Sequence, residues 1–242
     1  MRIHIIGDST AAPKQLHARP ETGWGEKFYL FFNEEVEILN HAFNGKSTRS
    51  FIAEKRFEEV MRVIQKGDVL IMQFGHNDSK IEDPLRYADP YDAYPKKLEF
   101  MIKETKEKGA FPIVLSSVSR RHFKSKHRVN KKNVIVYPMI AKQVAKREKV
   151  VFFDIFKKTR KLYEYFGWDL SRKLFLHIHK AEHKNYPEGI YDDTHFNDLG
   201  AMVVASLVAE ELYFTKQDHP LKDYILVENL INRIDVKRAI NV

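Results

Sequence analysis

Residues Val69–Phe74 read VLIMQF, six positions with no charge and no polar alternation. A strand with one face in water alternates apolar and polar residues, so this run must be covered on both faces. An interior strand of a parallel sheet, with helices above and below, meets that requirement. Four further β-rich runs, at residues 2–6, 36–39, 113–116 and 150–154, are spaced widely enough to leave room for a helix between neighbours. The segments 23–33, 48–65, 91–108, 138–148 and 196–213 carry apolar residues at helical spacing. Lys108 and Gly109 mark a helix stop, and Asn197 is an N-cap for the last helix. The pattern predicts an α/β chain: a doubly wound three-layer α/β/α sandwich around a five-stranded parallel sheet in the order 2-1-3-4-5.

A chain of 242 residues is long enough for one such domain with a sizeable core. It contains no run of about 18 apolar residues, so neither a membrane span nor a membrane partner is expected. The apolar part of the opening MRIHIIGD is too short for a signal-peptide core, and no small-residue cleavage site follows, which points to the cytoplasm. The absence of cysteine excludes disulfides, thiolate metal sites and a cysteine nucleophile. A net charge of +8 and a pI near 9.4 raise the question of a polyanionic partner. The lysines are scattered and no nucleic-acid-binding motif is present, so nucleic acid is not expected. Only residues 120–132 (RRHFKSKHRVNKK) concentrate the charge.

Gly7-Asp8-Ser9-Thr10 directly follows the first strand, which holds the serine hydroxyl at the sheet edge. Serine is a weak nucleophile without an adjacent base, and the same residue types also make ordinary turns. Far along the chain, Asp192-Asp193-Thr194-His195 precedes the last helix on a short loop. A carboxylate three residues before an imidazole can fold back and fix its tautomer, leaving the other nitrogen to face a serine; alternatively these aspartates only cap the helix. Gly45 follows the second strand and Asn77 the third. The N–H groups of Ser9 and Gly45 and the side-chain amide of Asn77 are suitable donors for a tetrahedral acyl-transfer intermediate, although Gly75 to Asp78 also fits an ordinary tight turn. No phosphate-binding glycine loop or metal-ligand spacing appears, so no cofactor and no metal are expected.

Taken together, Ser9, Gly45, Asn77 and Asp192 with His195, in this order, resemble the four blocks of the SGNH, or GDSL, hydrolase superfamily. The resemblance spans about residues 3–212. A narrower resemblance, to the rhamnogalacturonan acetylesterase group, rests on Gly7-Asp8-Ser9-Thr10, Gly23-Trp24-Gly25, Asn40-His41-Ala42, Gly45-Lys46-Ser47-Thr48-Arg49-Ser50-Phe51, Gln73-Phe74-Gly75-His76-Asn77-Asp78 and Asp192-Asp193-Thr194-His195-Phe196. It implies an SGNH-type, flavodoxin-like fold and a catalytic triad of Ser9, His195 and Asp192. It also implies an oxyanion hole of Ser9, Gly45 and Asn77, and substrate contacts at Asp8, Thr10, Arg49, His76 and Asp78. The implied activity is removal of acetyl groups from pectic rhamnogalacturonan. Lys46 stands where that group leads one to expect arginine, which loses the planar fork.

Alternatives within the superfamily are an esterase for another acetylated sugar, such as xylan, and a lipase or thioesterase. The loops after the third and fourth strands should shape this choice. They are rich in Lys, Arg, Asp, His and Tyr, which suits a polar sugar better than an acyl chain. Tyr87, Tyr91 and Tyr94 are candidates to stack on a pyranose, or to pack internally. Lys46, Arg49 and residues 120–132 are expected near the cleft mouth, where they would attract carboxylates; a merely solvated basic loop is the competing reading. A non-catalytic sugar-binding protein would show a damaged signature, and all five signature residues are present. Residues 1–214 are read as the catalytic domain. Residues 215–242, apolar and charged by turns, are read as an extension that docks on the domain or on a partner, including another copy of the chain.

Overall fold

The computed structural model describes residues 1–130 and 136–241. In chain order the elements are β1 (Arg2–Gly7), α1 (Trp24–Lys27), β2 (Glu37–Asn40), α2 (Thr48–Ala53), α3 (Arg56–Val63), β3 (Val69–Phe74), α4 (Ala93–Glu107), β4 (Phe111–Ser116), β5 (Phe123–Ser125), β6 (Arg128–Val129), α5 (Val136–Arg147), β7 (Val151–Phe153), α6 (Ile155–Ser171), β8 (Phe175–Ile178), β9 (Ile190–Phe196), α7 (Asp198–Phe214) and α8 (Arg233–Asn241).

β3 explains the layering. Its six residues are all buried, and its five apolar ones alternate between two separate hydrophobic clusters. Val69 and Ile71 join Ile3, Ile5, Ile113 and Leu115 under α7, while Leu70, Met72 and Phe74 join Ile6 and Val114 under α3, α4 and α5. A strand with both faces filled in this way must be central. The sheet order is β2-β1-β3-β4-β7, with all four pairings parallel, as the apolar runs predict. α7 is apolar nearly all round and places Val203, Val204, Val208 and Leu212 in the core. Burying each such side chain is worth about 1.5–3 kcal/mol. Its first turn lies against the chain before β8: a Cβ on Gly200 would sit 1.9 Å from the Leu174 carbonyl oxygen. Only glycine fits there.

Several expectations need refining. Residues 23–33 hold only the short α1 and a 3-10 turn, Phe28–Phe31. The predicted helix at 48–65 is two helices, broken at Lys55, which adopts φ +60°. α6 and the hairpins β5–β6 and β8–β9 were not anticipated. Most consequential, the Asp192–His195 motif is not on a loop. It lies within β9, paired antiparallel with β8 outside the main sheet. The Gly109 stop and the Asn197 cap are present: α4 ends at Glu107 with Lys108 as its C-cap, and the Asn197 Oδ1 accepts the Gly200 N–H at 2.9 Å. Beyond α7, Leu221, Ile225, Val236 and Ile240 are buried in the same cluster as α7, and Phe32 forms a bridge with Ile225. No helix among the described residues is long and apolar enough to cross a membrane.

Candidate active site

Parallel register brings four loops to one sheet edge. Gly7, at the end of β1, pairs with Gln73 of β3, which pairs with Leu115 of β4. The residues that follow, Ser9, Asn44 with Gly45, His76 with Asn77, and Arg120, therefore emerge together at the carboxyl ends of the strands, where open α/β sheets place their sites. They line a cleft of about 380 Å³ together with Glu21, Lys80, Arg86, Thr194 and His195.

Across this cleft the Ser9 Oγ lies 2.8 Å from the His195 Nε2, although 186 residues separate them in the chain. The other ring nitrogen, Nδ1, is 2.7 Å from the Asp192 Oδ2. The second oxygen of Asp192 accepts the backbone N–H groups of Thr194 at 2.6 Å and His195 at 3.0 Å. Burial pushes the Asp192 carboxyl up, but the His195 hydrogen bond and charge, together with those N–H groups, outweigh it and hold it at about 2. Burial likewise pulls the His195 imidazole down, and the hydrogen bond and charge of Asp192, with Glu21 behind it, lift it above its ordinary value. A carboxylate thus orients an imidazole whose free nitrogen meets a hydroxyl, the arrangement that generates a serine nucleophile.

Asp193, the neighbour of Asp192, faces elsewhere. Its Oδ1 takes Arg121 Nη1 at 2.6 Å and His177 Nε2 at 2.8 Å. The fully buried Arg121 guanidinium also donates to Ser171 Oγ at 2.9 Å and to the Trp168 carbonyl. The Arg121 N–H binds the Asp193 carbonyl at 2.8 Å, and the Thr22 N–H binds the Phe196 carbonyl at 2.9 Å, so β9 is clasped from both sides.

Gly45 has φ +74°, a backbone state that disfavours any side chain, and it lines the cleft. The Asn77 amide nitrogen donates one hydrogen to the Lys46 carbonyl at 3.1 Å, and its oxygen lies 3.4 Å from Arg86 Nη1. An amide nitrogen carries two hydrogens, so this contact orients the group without exhausting it.

The expected substrate contacts divide. His76 lines the cleft, donating from Nε2 to the Val118 carbonyl at 2.7 Å; burial lowers it to about 4, so it is neutral. Asp8, Thr10 and Asp78 do not reach the cleft. Asp8 accepts the N–H and hydroxyl of Thr10 at 2.9 and 2.7 Å, which tightens the Ser9 turn from within. Asp78 accepts the N–H and hydroxyl of Thr48 at 2.9 and 2.5 Å, anchoring the start of α2, and burial raises its carboxyl to about 7. One oxygen of each carboxylate is engaged in this way, and both aspartates and Thr10 are buried. Arg49 is exposed and donates to the Pro84 carbonyl at 2.7 Å, away from the cleft. Lys46 pairs with Glu54 at 2.6 Å.

Among the described residues of the basic stretch, only Arg120 lines the cleft. Lys124, His127 and Arg128 border a separate depression of about 680 Å³ with Arg160 and Glu164, and Lys131 and Lys132 lie outside the described residues. The cleft cations are instead Lys80, Arg86 and Arg120, from the two loops expected to shape substrate choice. Burial and the charges of Arg86 and Arg120 lower Lys80, a mark of crowded positive charge. Tyr94 is buried with its hydroxyl 3.4 Å from the Phe74 carbonyl, Tyr87 hydrogen-bonds Asp89 at 3.3 Å, and Tyr91 borders a different depression; none lines the cleft. Glu21, Asn44, Lys80, Arg86 and Thr194 were not singled out in the sequence. Among the described residues no cluster of three or more His, Cys, Asp or Glu side chains has metal-binding geometry.

Residues 5–203 match the GDSL-like lipase/acylhydrolase family. Over 226 residues, 93% of this chain and 94% of the relative, the sequence is 39% identical to the rhamnogalacturonan acetylesterase RhgT of Bacillus subtilis (strain 168). It is 29% identical over 222 residues to a rhamnogalacturonan acetylesterase of Emericella nidulans, covering 84% of this chain and 81% of that one. Among solved structures, the acetylxylan esterase Axe2 of Geobacillus stearothermophilus superposes with a TM-score of 0.59 at 18% identity, covering 90% of this chain and 97% of that chain. YxiM of Bacillus subtilis superposes at 0.73 and 22% identity, where 87% of this chain matches 55% of that chain. At these identities the two structures speak to the fold alone. With the family match spanning most of its length, the chain belongs to the GDSL-like lipase/acylhydrolase family of ester hydrolases.

Proposed function

We propose that this protein is a serine esterase that removes acetyl groups from a carbohydrate, specifically pectic rhamnogalacturonan oligosaccharides. The observation that carries the mechanism is the unbroken contact from Ser9 through His195 to Asp192, at 2.8 and 2.7 Å. In this reading His195 takes the Ser9 proton as Oγ attacks the acetyl carbonyl. The oxyanion is met by the N–H groups of Ser9 and Gly45 and by the Asn77 amide. Collapse breaks the bond to the sugar oxygen, which leaves with the proton from His195. Water, deprotonated by His195, then releases acetate and restores the serine.

The substrate assignment is supported by the 39% identical relative named for this activity and by the cationic wall of Lys80, Arg86 and Arg120, which suits a polymer bearing carboxylates. The second reading is a neutral acetylated sugar such as xylan, which leaves that wall without a role. Residues 1–214 form the catalytic domain in this account, and residues 215–242 an extension packed on it, supported by the burial of Leu221, Ile225 and Val236.

The test is acetate release from acetylated rhamnogalacturonan oligosaccharides, acetylated xylooligosaccharides and an aryl acetate, with the wild type and Ser9→Ala. The pectic substrate should give the highest kcat/KM, and Ser9→Ala should abolish all three activities. Turnover retained in Ser9→Ala would reject the mechanism, and faster acetylxylan hydrolysis would reject the pectic substrate.

A further inference from the structure

A lysine is buried beneath the nucleophile. The Lys14 ammonium is fully shielded from solvent and donates to three acceptors: the Ser9 carbonyl at 2.6 Å, the Asn44 Oδ1 at 2.6 Å and the Glu21 Oε1 at 2.7 Å. An ammonium has three N–H bonds and accepts none, so these partners use its whole capacity. Each belongs to a different part of the cleft. Ser9 ends the turn after β1, Asn44 immediately precedes Gly45 on the loop after β2, and Glu21 lies on the segment before α1; all three line the cleft. Hiding a charge from water is costly unless it is fully paired, so a lysine here needs a reason that an apolar side chain cannot supply. An apolar residue would fill the space but leave the Ser9 carbonyl and the Asn44 amide oxygen without this donor.

We propose that Lys14 is a positioning residue for ester hydrolysis: its ammonium cross-braces the Ser9 turn to the Asn44–Gly45 loop and so fixes the spacing between the two backbone N–H groups that face the oxyanion. This rests on the assignment of Ser9 as the nucleophile. The two loops share neighbouring strands, since β1 pairs with β2 through Ile5 and Asn40, but both N–H groups lie beyond the last paired residues. Past that point the Phe43 N–H still binds the Gly7 carbonyl at 3.1 Å and the Asn40 amide the Ala11 carbonyl at 2.8 Å, and Lys14 adds the link that reaches Ser9 itself and Asn44, the neighbour of Gly45. Donors aimed at a developing charge act through preorganisation, so loosening their spacing penalises the transition state more than substrate binding.

Lys14 also takes part in the electrostatics of the base. His195 is faced by Asp192 from its own strand, by Glu21 and Lys14 from the segment between β1 and α1, and by His76 from the loop after β3. Glu21 favours the imidazolium and Lys14 opposes it. Removing Lys14 alone leaves the Glu21 charge uncompensated.

The experiment uses the full chain and an aryl acetate. Lys14→Met should lower kcat by about 10- to 100-fold with KM within about twofold, the scale expected when a reacting geometry is displaced. Asn44→Ala should lower kcat less, and adding it to Lys14→Met should cost little more, because the two act as one strap. The acid limb of kcat/KM should move to higher pH in Lys14→Met and return when Glu21→Gln is added. Thermal unfolding establishes that each variant is folded at the assay temperature. A folded Lys14→Met with wild-type kcat, a loss confined to KM, or an unmoved acid limb would overturn the brace. If Lys14→Met does not fold, Asn44→Ala decides: wild-type kcat in that variant overturns the proposal, and a kcat loss at constant KM supports it. Turnover persisting in Ser9→Ala would instead overturn the nucleophile assignment beneath it.

Discussion

Replacing Asp192 by asparagine separates its two jobs. Asparagine keeps an oxygen for the Thr194 and His195 N–H groups, so the backbone of β9 has no reason to move. Toward the ring it presents an N–H, which forces His195 Nδ1 to accept and Nε2 to carry the proton. The imidazole then donates to Ser9 rather than receiving from it, and the base is lost. A tautomer reversal of this kind costs about 10³- to 10⁴-fold in kcat/KM, or roughly 4–5.5 kcal/mol of transition-state stabilisation. Stability changes by a smaller amount. Moving a carboxyl from 3.8 to about 2, at about 1.4 kcal/mol per tenfold, stabilises the folded carboxylate by about 2 kcal/mol. Because the folded value lies below the unfolded one, this contribution is complete above 3.8 and is lost as pH falls toward 2. Asp192→Asn should therefore flatten the acid limb of a stability-against-pH curve in that window. Asp193→Asn should do the reverse at neutral pH: less than about tenfold in activity, but about 1–3 kcal/mol in stability, because the buried Arg121 loses its anionic partner. The assay is aryl acetate hydrolysis at neutral pH beside thermal unfolding of both variants. An Asp193→Asn enzyme weaker than Asp192→Asn at unchanged thermal midpoint would refute this division of labour.

Asn77→Ala should lower kcat by about 10²- to 10³-fold with little change in KM, since its hydrogen bond strengthens only as charge develops; a loss seen wholly in KM would make Asn77 a substrate-binding residue. Gly200→Ala should lower the thermal midpoint by several degrees, corresponding to about 1–3 kcal/mol, because the new methyl meets the Leu174 carbonyl; an unchanged midpoint would show that α7 can shift freely. His4 and His41 stack at 5.2 Å, and burial lowers both, His41 to about 4. Stability should accordingly fall as pH drops from about 6.5 toward 4, where the unfolded chain takes up protons that the folded one refuses, and His41→Gln should lessen that slope in acid-unfolding curves. Added salt should slow hydrolysis of acidic acetylated oligosaccharides more than that of an aryl acetate, and Arg120→Gln should shrink the difference; identical salt profiles would assign the cleft cations no steering role.

What the sequence discloses depends on how a residue's partners are distributed. VLIMQF announces its strand because burial on both faces leaves a compositional trace, and Asp192 to His195 is readable because the partners are three residues apart. β8 and β9 are hidden: FLHI and IYDDTHF carry His and Asp where strand alternation would place apolar residues, because the strand also serves the site. Arg120 and Arg121 look alike in a basic run, yet one lines the cleft and the other is sealed against Asp193, a difference set by partners more than forty residues away that composition does not carry. Lys14 gives no local signal at all. Its partners lie five, seven and thirty residues away in irregular chain, so only the folded loops bring them together.

Ser9 is anchored to a five-stranded sheet, whereas Asp192 and His195 ride on a two-stranded hairpin that sets Phe175 and Phe196 in the core and takes hydrogen bonds from Thr22 and Arg121. A two-stranded hairpin has fewer strand partners than a central sheet, so residues 190–195 should open at lower free energy than β1 or β3. In the proposed mechanism, opening of the hairpin would break the Ser9–His195 contact while the sheet stays intact, and inactivation on warming should precede global melting. Amide exchange along residues 190–195 should then be faster than along β1 or β3, and its free energy, rather than that of the whole fold, sets the temperature to which the enzyme remains competent.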